Sequence, residues 1–193
     1  KKPWGDWVYV KTNAPLILKR EVKRKGPGVI SLSTVTDPYQ PVEATYKITR
    51  KCLEILKNTP FFVSILTKST LILRDLDLIG EMQNVEVGIS VAFHDNSPYA
   101  RILEHRVPKA SRRFDTLKKL GERGIKTWVF LNPLIPGLND SDEVIEWLIK
   151  NSMEAGAYTV LVDTITPYPS VVSKLFQILK PDDKWKANFF AYL

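Results

Sequence analysis

The sequence has 193 residues, of which 44% are hydrophobic and 25% are charged, and it carries a net charge of +7. This is the composition of an ordinary globular domain, and no stretch approaches the roughly 18 consecutive apolar residues of a membrane span. One cysteine and two histidines exclude an internal disulfide framework and a complete multi-cysteine metal site within this sequence.

These properties predict a single domain over residues 1–193 without a membrane segment. We expect a cytoplasmic protein, because residues 1–20 lack the apolar core of a signal peptide. Much of the positive charge lies in one run, residues 19–25, which holds three lysines and two arginines. Such a run usually forms a solvated face, although it also suits a phosphate-rich partner. Nucleic acid is therefore a candidate partner that net charge alone does not establish.

Five short β-rich segments recur at intervals of roughly 30 residues, which is the spacing of a strand-helix unit. They cover residues 29–33, 62–66, 85–91, 127–131 and 159–163. Because each segment is mostly apolar, we expect strands that are covered on both faces and paired in parallel. The predicted fold class is α/β, as either a barrel or an open doubly wound sheet, and both bind ligands at the carboxyl ends of the strands.

Segments with helical periodicity separate the strands. The first begins near Pro15 and ends before Gly26. The next places the single cysteine, Cys52, in an apolar stripe, where we interpret it as a core residue rather than a reactive thiol. Its companions in that stripe are Ile48, Ile55 and Leu56.

Three further helices are predicted in the second half of the chain. Ser111 is the expected cap of one helix, and Asp140 with Glu143 has the spacing of a capping box before another. Residues 171–179 predict a last helix within a peripheral C-terminal helical segment, residues 168–193, whose tail the pattern leaves open. The core-facing residues of the first of these helices are Phe114, Leu117 and Leu120.

Polar side chains follow four successive strands. In chain order they are Thr36, Asp37, Lys68, Ser90 and Asn132. Each has a purely structural interpretation: Asp37 precedes a proline and can bond its own backbone, and Lys68 can extend over the rim. Because carboxyl ends of parallel strands meet at one edge of the sheet, their coincidence favours a ligand site there.

The two histidines are weaker candidates. His94 follows a strand and would suit a general base, but an exposed loop position is the favoured interpretation. His105 lies beside Arg106 in a charged loop that could reach the site. Neither has an identifiable nucleophile partner, and no glycine-rich phosphate loop follows any strand.

A series of motifs between about Trp4 and Asp140 resembles the radical S-adenosylmethionine proteins related to spore photoproduct lyase. The motifs are Trp4-Gly5-Asp6, Val10-Lys11-Thr12-Asn13-Ala14-Pro15, Thr36-Asp37-Pro38-Tyr39-Gln40-Pro41 with Glu43, Thr49-Arg50-Lys51-Cys52-Leu53, Leu66-Thr67-Lys68-Ser69, Leu73-Arg74-Asp75, Glu104-His105-Arg106, Ser111-Arg112-Arg113 and Gly124-Ile125-Lys126-Thr127. The resemblance implies a partial parallel barrel of the (β/α)6 type, a [4Fe-4S] cluster on three thiolates, bound S-adenosylmethionine and an electron donor as partner.

The resemblance also implies roles for individual residues. Thr36 and Asp37 match the residues that meet the methionyl amino group, and Lys68 matches the lysine that pairs with the methionyl carboxylate. Ser90 matches a serine at the ribose hydroxyls, and the backbone around Asn132 is expected near the adenine. Candidates on the substrate side are Tyr39, Gln40, Glu43, His105 and Arg106.

Two departures from the family pattern limit what the resemblance implies. The Cys-x3-Cys-x-x-Cys loop of the family precedes the segment that matches Trp4, so we expect the cluster ligands and the first barrel strand upstream of Lys1. A relative that has lost the cluster is the other interpretation. In addition, Thr34 stands where the lyase carries a hydrogen-donor cysteine, which argues against repair of thymine dimers by the same route.

The leading hypothesis is thus a radical S-adenosylmethionine enzyme of unknown substrate. The alternative is a non-catalytic module on a degenerate barrel that binds nucleic acid or a protein partner. A barrel enzyme without redox chemistry would need a general base, and the sequence offers no clear one.

Overall fold

The computed structural model describes residues 7–191, and five strands within this range form one parallel sheet. The strands are β1 (Val29–Leu32), β2 (Phe62–Thr67), β3 (Val85–Ser90), β4 (Lys126–Leu134) and β5 (Thr159–Thr164). They lie side by side in chain order, and each pairs in parallel with the next. A doubly wound sheet would reverse its strand order, so the predicted partial α/β barrel is confirmed.

Helices precede, connect and follow the strands. They are α1 (Ala14–Glu21), α2 (Glu43–Tyr46), α3 (Ile48–Leu56), α4 (Leu76–Ile79), α5 (Pro98–Leu103), α6 (Ala110–Gly121), α7 (Asp142–Glu154), α8 (Pro169–Leu179) and α9 (Asp183–Ala191). A 3₁₀ helix, Thr70–Asp75, lies between β2 and α4. Among residues 7–191, no helix has both the length and the apolar character that crossing a membrane requires.

The main core lies between the sheet and the helices on one of its faces. Buried and half-buried residues alternate along β2, because successive side chains of a strand point to opposite faces, and Val63 and Ile65 enter the core. Leu117 and Leu120 of α6 pack over β3 and β4, as their spacing predicts. Cys52 is buried as expected, and burial raises the pKa of its thiol to about 11. The thiol is therefore neutral at physiological pH.

On the opposite face of the sheet, one glycine admits a large aromatic ring. Trp128 of β4 lies across Gly88 of β3, and a Cβ atom at Gly88 would lie 2.4 Å from Cε2 of the indole. Only glycine fits this close approach. The indole of Trp128 thereby covers the middle of the sheet.

The last two helices build a second apolar cluster at the carboxyl edge of the sheet. Val172 and Leu175 of α8 and Phe189 of α9 pack there against Phe93 and Ile135, which follow β3 and β4. Helix α8 confirms the predicted last helix, and α9 occupies the tail that the pattern left open.

Both predicted helix caps are wrong. Ser111 lies inside the first turn of α6, where its hydroxyl donates a hydrogen bond to Asp95 at 2.6 Å. Asp140 lies two residues before α7 and accepts the backbone N–H of Gly137 at 2.7 Å. In each case a partner in the preceding loop engages the side chain, which the local spacing of residues does not reveal.

Candidate functional site

The carboxyl ends of β2, β3 and β4 meet at the backbone carbonyl of Asn132. The ammonium group of Lys68 donates to the backbone carbonyl of Asn132 at 3.2 Å, and the hydroxyl of Ser90 donates to the same oxygen at 3.2 Å. The backbone N–H of Lys68 donates to Asp37 at 2.7 Å, which adds the loop after β1. The structure therefore links Asp37, Lys68 and Ser90 through the backbone carbonyl of Asn132 and the backbone N–H of Lys68.

Asp37 ties two strand ends to each other. Its Oδ1 accepts the N–H of Tyr39 at 2.7 Å and the hydroxyl of Thr67 at 2.6 Å, while its Oδ2 accepts the N–H of Lys68. The bond to Tyr39, two residues along, is the local turn that the sequence also allowed. Thr36 is exposed beside it, with its hydroxyl 2.8 Å from that of Ser33.

Glu104 and Arg113 complete the junction around Lys68. The carboxylate of Glu104 accepts hydrogen bonds from the ammonium group of Lys68 and from Nη2 of Arg113, each at 2.7 Å. The Nη1 of Arg113 donates to the backbone carbonyl of Ser90 at 2.7 Å. We call these residues, Lys68, Ser90, Glu104, Arg113 and Asn132, the Lys68 junction.

The charges of the junction shift two pKa values. Burial alone raises the pKa of Glu104, but Lys68 and Arg113 outweigh burial and lower it below its ordinary range. Burial lowers the pKa of Lys68; Glu104 opposes this shift, and the positive charge of Arg113 adds to it. Glu104 is thus firmly ionised, and Lys68 holds its proton less tightly than an exposed lysine.

Sequence reasoning did not assign roles to Glu104 and Arg113, although both occur in motifs that resemble the family. It selected their neighbours His105 and Arg106, whose side chains the structure places at the surface. The signal that could have identified Arg113 is its place on the apolar face of α6, four residues before Leu117. A charged residue on a buried helical face needs partners, and here they are site residues.

Two substrate-side candidates instead anchor the loop. Tyr39 is 1% exposed, and its hydroxyl donates to Asp75 at 3.1 Å; burial and that carboxylate raise the pKa of the phenol. The prediction that Tyr39 faces a substrate is therefore wrong for this structure. The carboxylate of Glu43 accepts the N–H of Ile48 at 2.7 Å and a guanidinium N–H of Arg74 at 3.0 Å.

A cavity of about 890 Å³ lies beside the same loop. Residues 7–11 form one wall, and residues 35–43 except Tyr39 form the other, together with Tyr46, Ile48 and Thr49. The second wall includes Thr36, Asp37 and Gln40. The volume falls in the range of small-molecule sites. Lys68, Ser90 and Asn132 do not line this cavity, so Asp37 is the link between the cavity and the Lys68 junction.

The histidines occupy different environments. His105 is exposed, but His94 is half-buried rather than exposed, because its ring packs edge-on against Trp147 of α7 with the centroids 5.9 Å apart. Tertiary packing against a distant helix explains this difference from the sequence prediction.

The residues of this chain do not fit an iron-sulfur cluster. A cluster of the family type requires three thiolates, and the sequence contains one cysteine. That cysteine, Cys52, is buried in α3 with a raised thiol pKa. Within residues 7–191, no group of three or more histidine, cysteine, aspartate or glutamate side chains could hold a metal ion.

The chain spans about half the length of the curated relatives it matches. An uncharacterized protein of Methanocaldococcus jannaschii is 39% identical over 143 residues, which cover 74% of this chain and 53% of that protein. An uncharacterized protein of Acidianus two-tailed virus is 31% identical over 163 residues, which cover 81% of this chain and 52% of the viral protein.

Solved structures share the fold at low sequence identity. Spore photoproduct lyase in complex with dinucleoside spore photoproduct matches with a TM-score of 0.65 and 14% identity, over 91% of this chain and 54% of the lyase. SuiB of Streptococcus suis, bound to S-adenosylmethionine, matches with a TM-score of 0.59 and 13% identity, over 91% of this chain and 42% of SuiB.

The family model of the Radical SAM superfamily matches residues 3–148. The matched range contains β1 to β4 and therefore every strand end that contributes to the Lys68 junction. The chain thus belongs to the radical S-adenosylmethionine superfamily.

Proposed function

We propose that the protein is a radical S-adenosylmethionine enzyme in which this chain binds the methionyl and ribose groups of the cofactor. The observation that carries this proposal is the ammonium group of Lys68, held where the ends of β2, β3 and β4 meet. Membership of the superfamily supports it, as does the shared fold of SuiB, whose structure contains S-adenosylmethionine.

Each polar group of the cofactor has a partner in this proposal. Lys68 pairs with the methionyl carboxylate. Asp37 accepts the methionyl ammonium group, because its Oδ2 receives one bond within the chain and keeps a lone pair. Thr36 lies beside Asp37 and would contact the same methionyl ammonium group. Ser90 donates its only proton to the backbone carbonyl of Asn132, so its oxygen is left to accept a ribose hydroxyl. The backbone around Asn132 would then lie near the adenine.

With a reduced cluster beside it, bound S-adenosylmethionine would supply the radical chemistry of this superfamily, which begins with abstraction of hydrogen from the substrate. The residues of this chain hold and orient the cofactor. They do not bind the cluster, because the sequence has one cysteine and the cluster needs three thiolates. The proposal therefore needs cluster ligands from residues outside this sequence and an electron donor as partner. Gln40, on the wall of the larger cavity, stays a candidate for the substrate side.

The test uses the whole protein, purified without oxygen, and compares Lys68→Met with Lys119→Met, an exposed lysine of α6. We expect at least about tenfold weaker binding of S-adenosylmethionine in the Lys68 variant, because a charge-assisted bond to the carboxylate is lost. The Lys119 variant should bind normally, and the wild type should form 5′-deoxyadenosine under reduction. Equal cofactor affinity in all three proteins would overturn the proposed binding mode.

The second candidate function is a non-catalytic module that binds nucleic acid. The observation in its favour is the basic run of residues 19–25, whose lysines and arginines are all exposed. This module would bind single- or double-stranded DNA with an affinity that falls steeply with salt, and it would not bind S-adenosylmethionine. Cofactor binding by the whole protein therefore separates the two functions.

A further inference from the structure

A second cavity, of about 200 Å³, lies at the carboxyl end of β3, between the loop after that strand and the start of α6. This volume is below the roughly 300–1,000 Å³ of sites for drug-sized ligands, so it suits one small group. Basic side chains dominate its charged wall. They are His94, Arg101, His105, Lys109 and Arg113.

The two carboxylates in the wall are already engaged by the protein. Asp95 accepts both the N–H and the hydroxyl of Ser111, at 3.1 and 2.6 Å. Glu104 accepts Lys68 and Arg113 in the Lys68 junction. Glu104 is therefore paired with two cations, whereas Asp95 keeps one negative charge in a wall that also holds Arg101, Lys109 and Arg113.

Two cations of the wall have no ion-pair partner in the described part of the chain. Arg101 and Lys109 are exposed, and neither lies within ion-pair distance of an acidic group in the described part of the chain. Lys109 attracts Asp95 only over a longer distance. The cavity therefore carries excess positive charge, which favours an anionic ligand.

Arg113 adds a buried donor without an acceptor. The residue is 2% exposed, and its Nε has no hydrogen-bond partner among residues 7–191, although both of its Nη atoms donate within the Lys68 junction. A buried N–H without an acceptor costs about 1–3 kcal/mol. Arg113 thus adds its positive charge and a buried donor without a protein acceptor to the residues that line the cavity.

We propose that this cavity binds a phosphate group carried by the substrate. A phosphate offers several acceptor oxygens, and guanidinium groups bind it well. Arg113 belongs both to the cavity wall and to the Lys68 junction, so a phosphate here would hold the substrate beside the cofactor. The inference rests on the proposed function only in treating the ligand as a substrate. The phosphate belongs to a small phosphorylated molecule or to a nucleic-acid strand.

The two histidines of this sequence provide site-specific reporters, because both line the cavity. The experiment follows the imidazole C–H resonances of the whole protein by NMR, with His94→Gln and His105→Gln for assignment. Inorganic phosphate should shift both resonances, whereas chloride at the same ionic strength should not. If neither inorganic phosphate nor the two further phosphate probes described below shifts these resonances, the inference is overturned.

A paired substitution tests the residues themselves. Arg101→Gln with Lys109→Gln should weaken phosphate binding by about tenfold or more, because two charged contacts are lost. The matched control, Lys19→Gln with Lys23→Gln on and just after α1, removes the same charge at a distance and should leave binding unchanged. Equal weakening by both pairs would show a general charge effect and overturn the site.

Two further probes distinguish a small phosphorylated molecule from a nucleic-acid strand as the source of the phosphate. A nucleoside 5′-monophosphate tests the small-molecule source, and a short single-stranded oligonucleotide tests the strand, with a neutral methylphosphonate version as its control. Binding of S-adenosylmethionine is measured on the same samples. If the cofactor binds and no phosphate probe shifts the histidines, the phosphate site is overturned while the proposed function stands. Phosphate shifts without cofactor binding support the cavity and overturn the proposed function.

Discussion

Glu104 is the single residue on which the charge arrangement of the site depends most. One carboxylate serves two cations, Lys68 and Arg113, and each of these also binds a backbone carbonyl at a strand end. Removing one partner of such a group leaves the others charged and poorly solvated. In our proposal, Glu104 therefore positions Lys68, and Lys68 in turn binds the cofactor.

Glu104→Gln should lower the free energy of unfolding by about 1–3 kcal/mol at pH 7. The folded-state pKa of Glu104 is lowered, so its stabilisation is fully present above the unfolded pKa, about 4.3, and is lost as the pH falls through the folded value. Urea unfolding of the wild type and the variant should thus give a difference that is largest near neutral pH and shrinks below about pH 4.

The control for this prediction is Glu122→Gln, which changes an exposed glutamate next to the end of α6. It should alter the unfolding free energy by no more than about 0.5 kcal/mol at either pH. A stability difference for Glu104→Gln that stays constant between neutral and acidic pH would contradict the role of its charge.

At the scale of elements, the loop after β1 is held by the segment after β2. Tyr39 reaches Asp75, and Arg74 donates to the backbone carbonyl of Glu43 at 2.9 Å and to its carboxylate at 3.0 Å. Asp37, in the same loop, is tied to the end of β2. The 3₁₀ helix and the loop therefore act as one unit that positions the methionyl end of the proposed cofactor site.

Tyr39→Phe tests this anchor. The variant leaves the carboxylate of Asp75 without the phenol donor, and we expect a loss of about 0.5–1.5 kcal/mol in unfolding free energy with weaker binding of S-adenosylmethionine. Tyr168→Phe is the matched control, because that tyrosine is 64% exposed and does not line the cavity beside the loop. If both variants were indistinguishable from wild type in urea unfolding and in cofactor titration, the loop would not depend on this contact.

The strands and their polar ends were predictable because both follow from local order in the sequence. Apolar segments at regular spacing predict parallel strands, and parallel strands place Lys68, Ser90 and Asn132 at one edge. The burial of Tyr39 was not predictable, because its partner Asp75 lies 36 residues away in a 3₁₀ helix without a strong sequence signal. The role of Glu104 was not predictable for the same reason, since its partner Lys68 is also 36 residues away.

At the scale of the whole molecule, the C-terminal helices belong to the packed structure of the barrel end. Their apolar residues share a cluster with Phe93 and Ile135, which follow two of the strands that form the Lys68 junction. Trp185 of α9 lies against Gly137 in the loop after β4, 2.7 Å from the position of a Cβ atom there. The sequence predicted a peripheral segment because its periodicity weakens beyond residue 167, whereas aromatic packing gives α9 its contacts with the loops.

Phe189→Ala tests whether this cluster stabilises the whole molecule. Phe189 is fully buried, so its removal should leave a cavity and lower the unfolding free energy by about 3–5 kcal/mol. Phe190→Ala changes the adjacent residue, which is 57% exposed, and should cost well under half as much. The measurement is urea unfolding followed both by far-ultraviolet circular dichroism and by tryptophan fluorescence. If α9 were only an appendage, the two substitutions would have equally small effects and the main transition would not move.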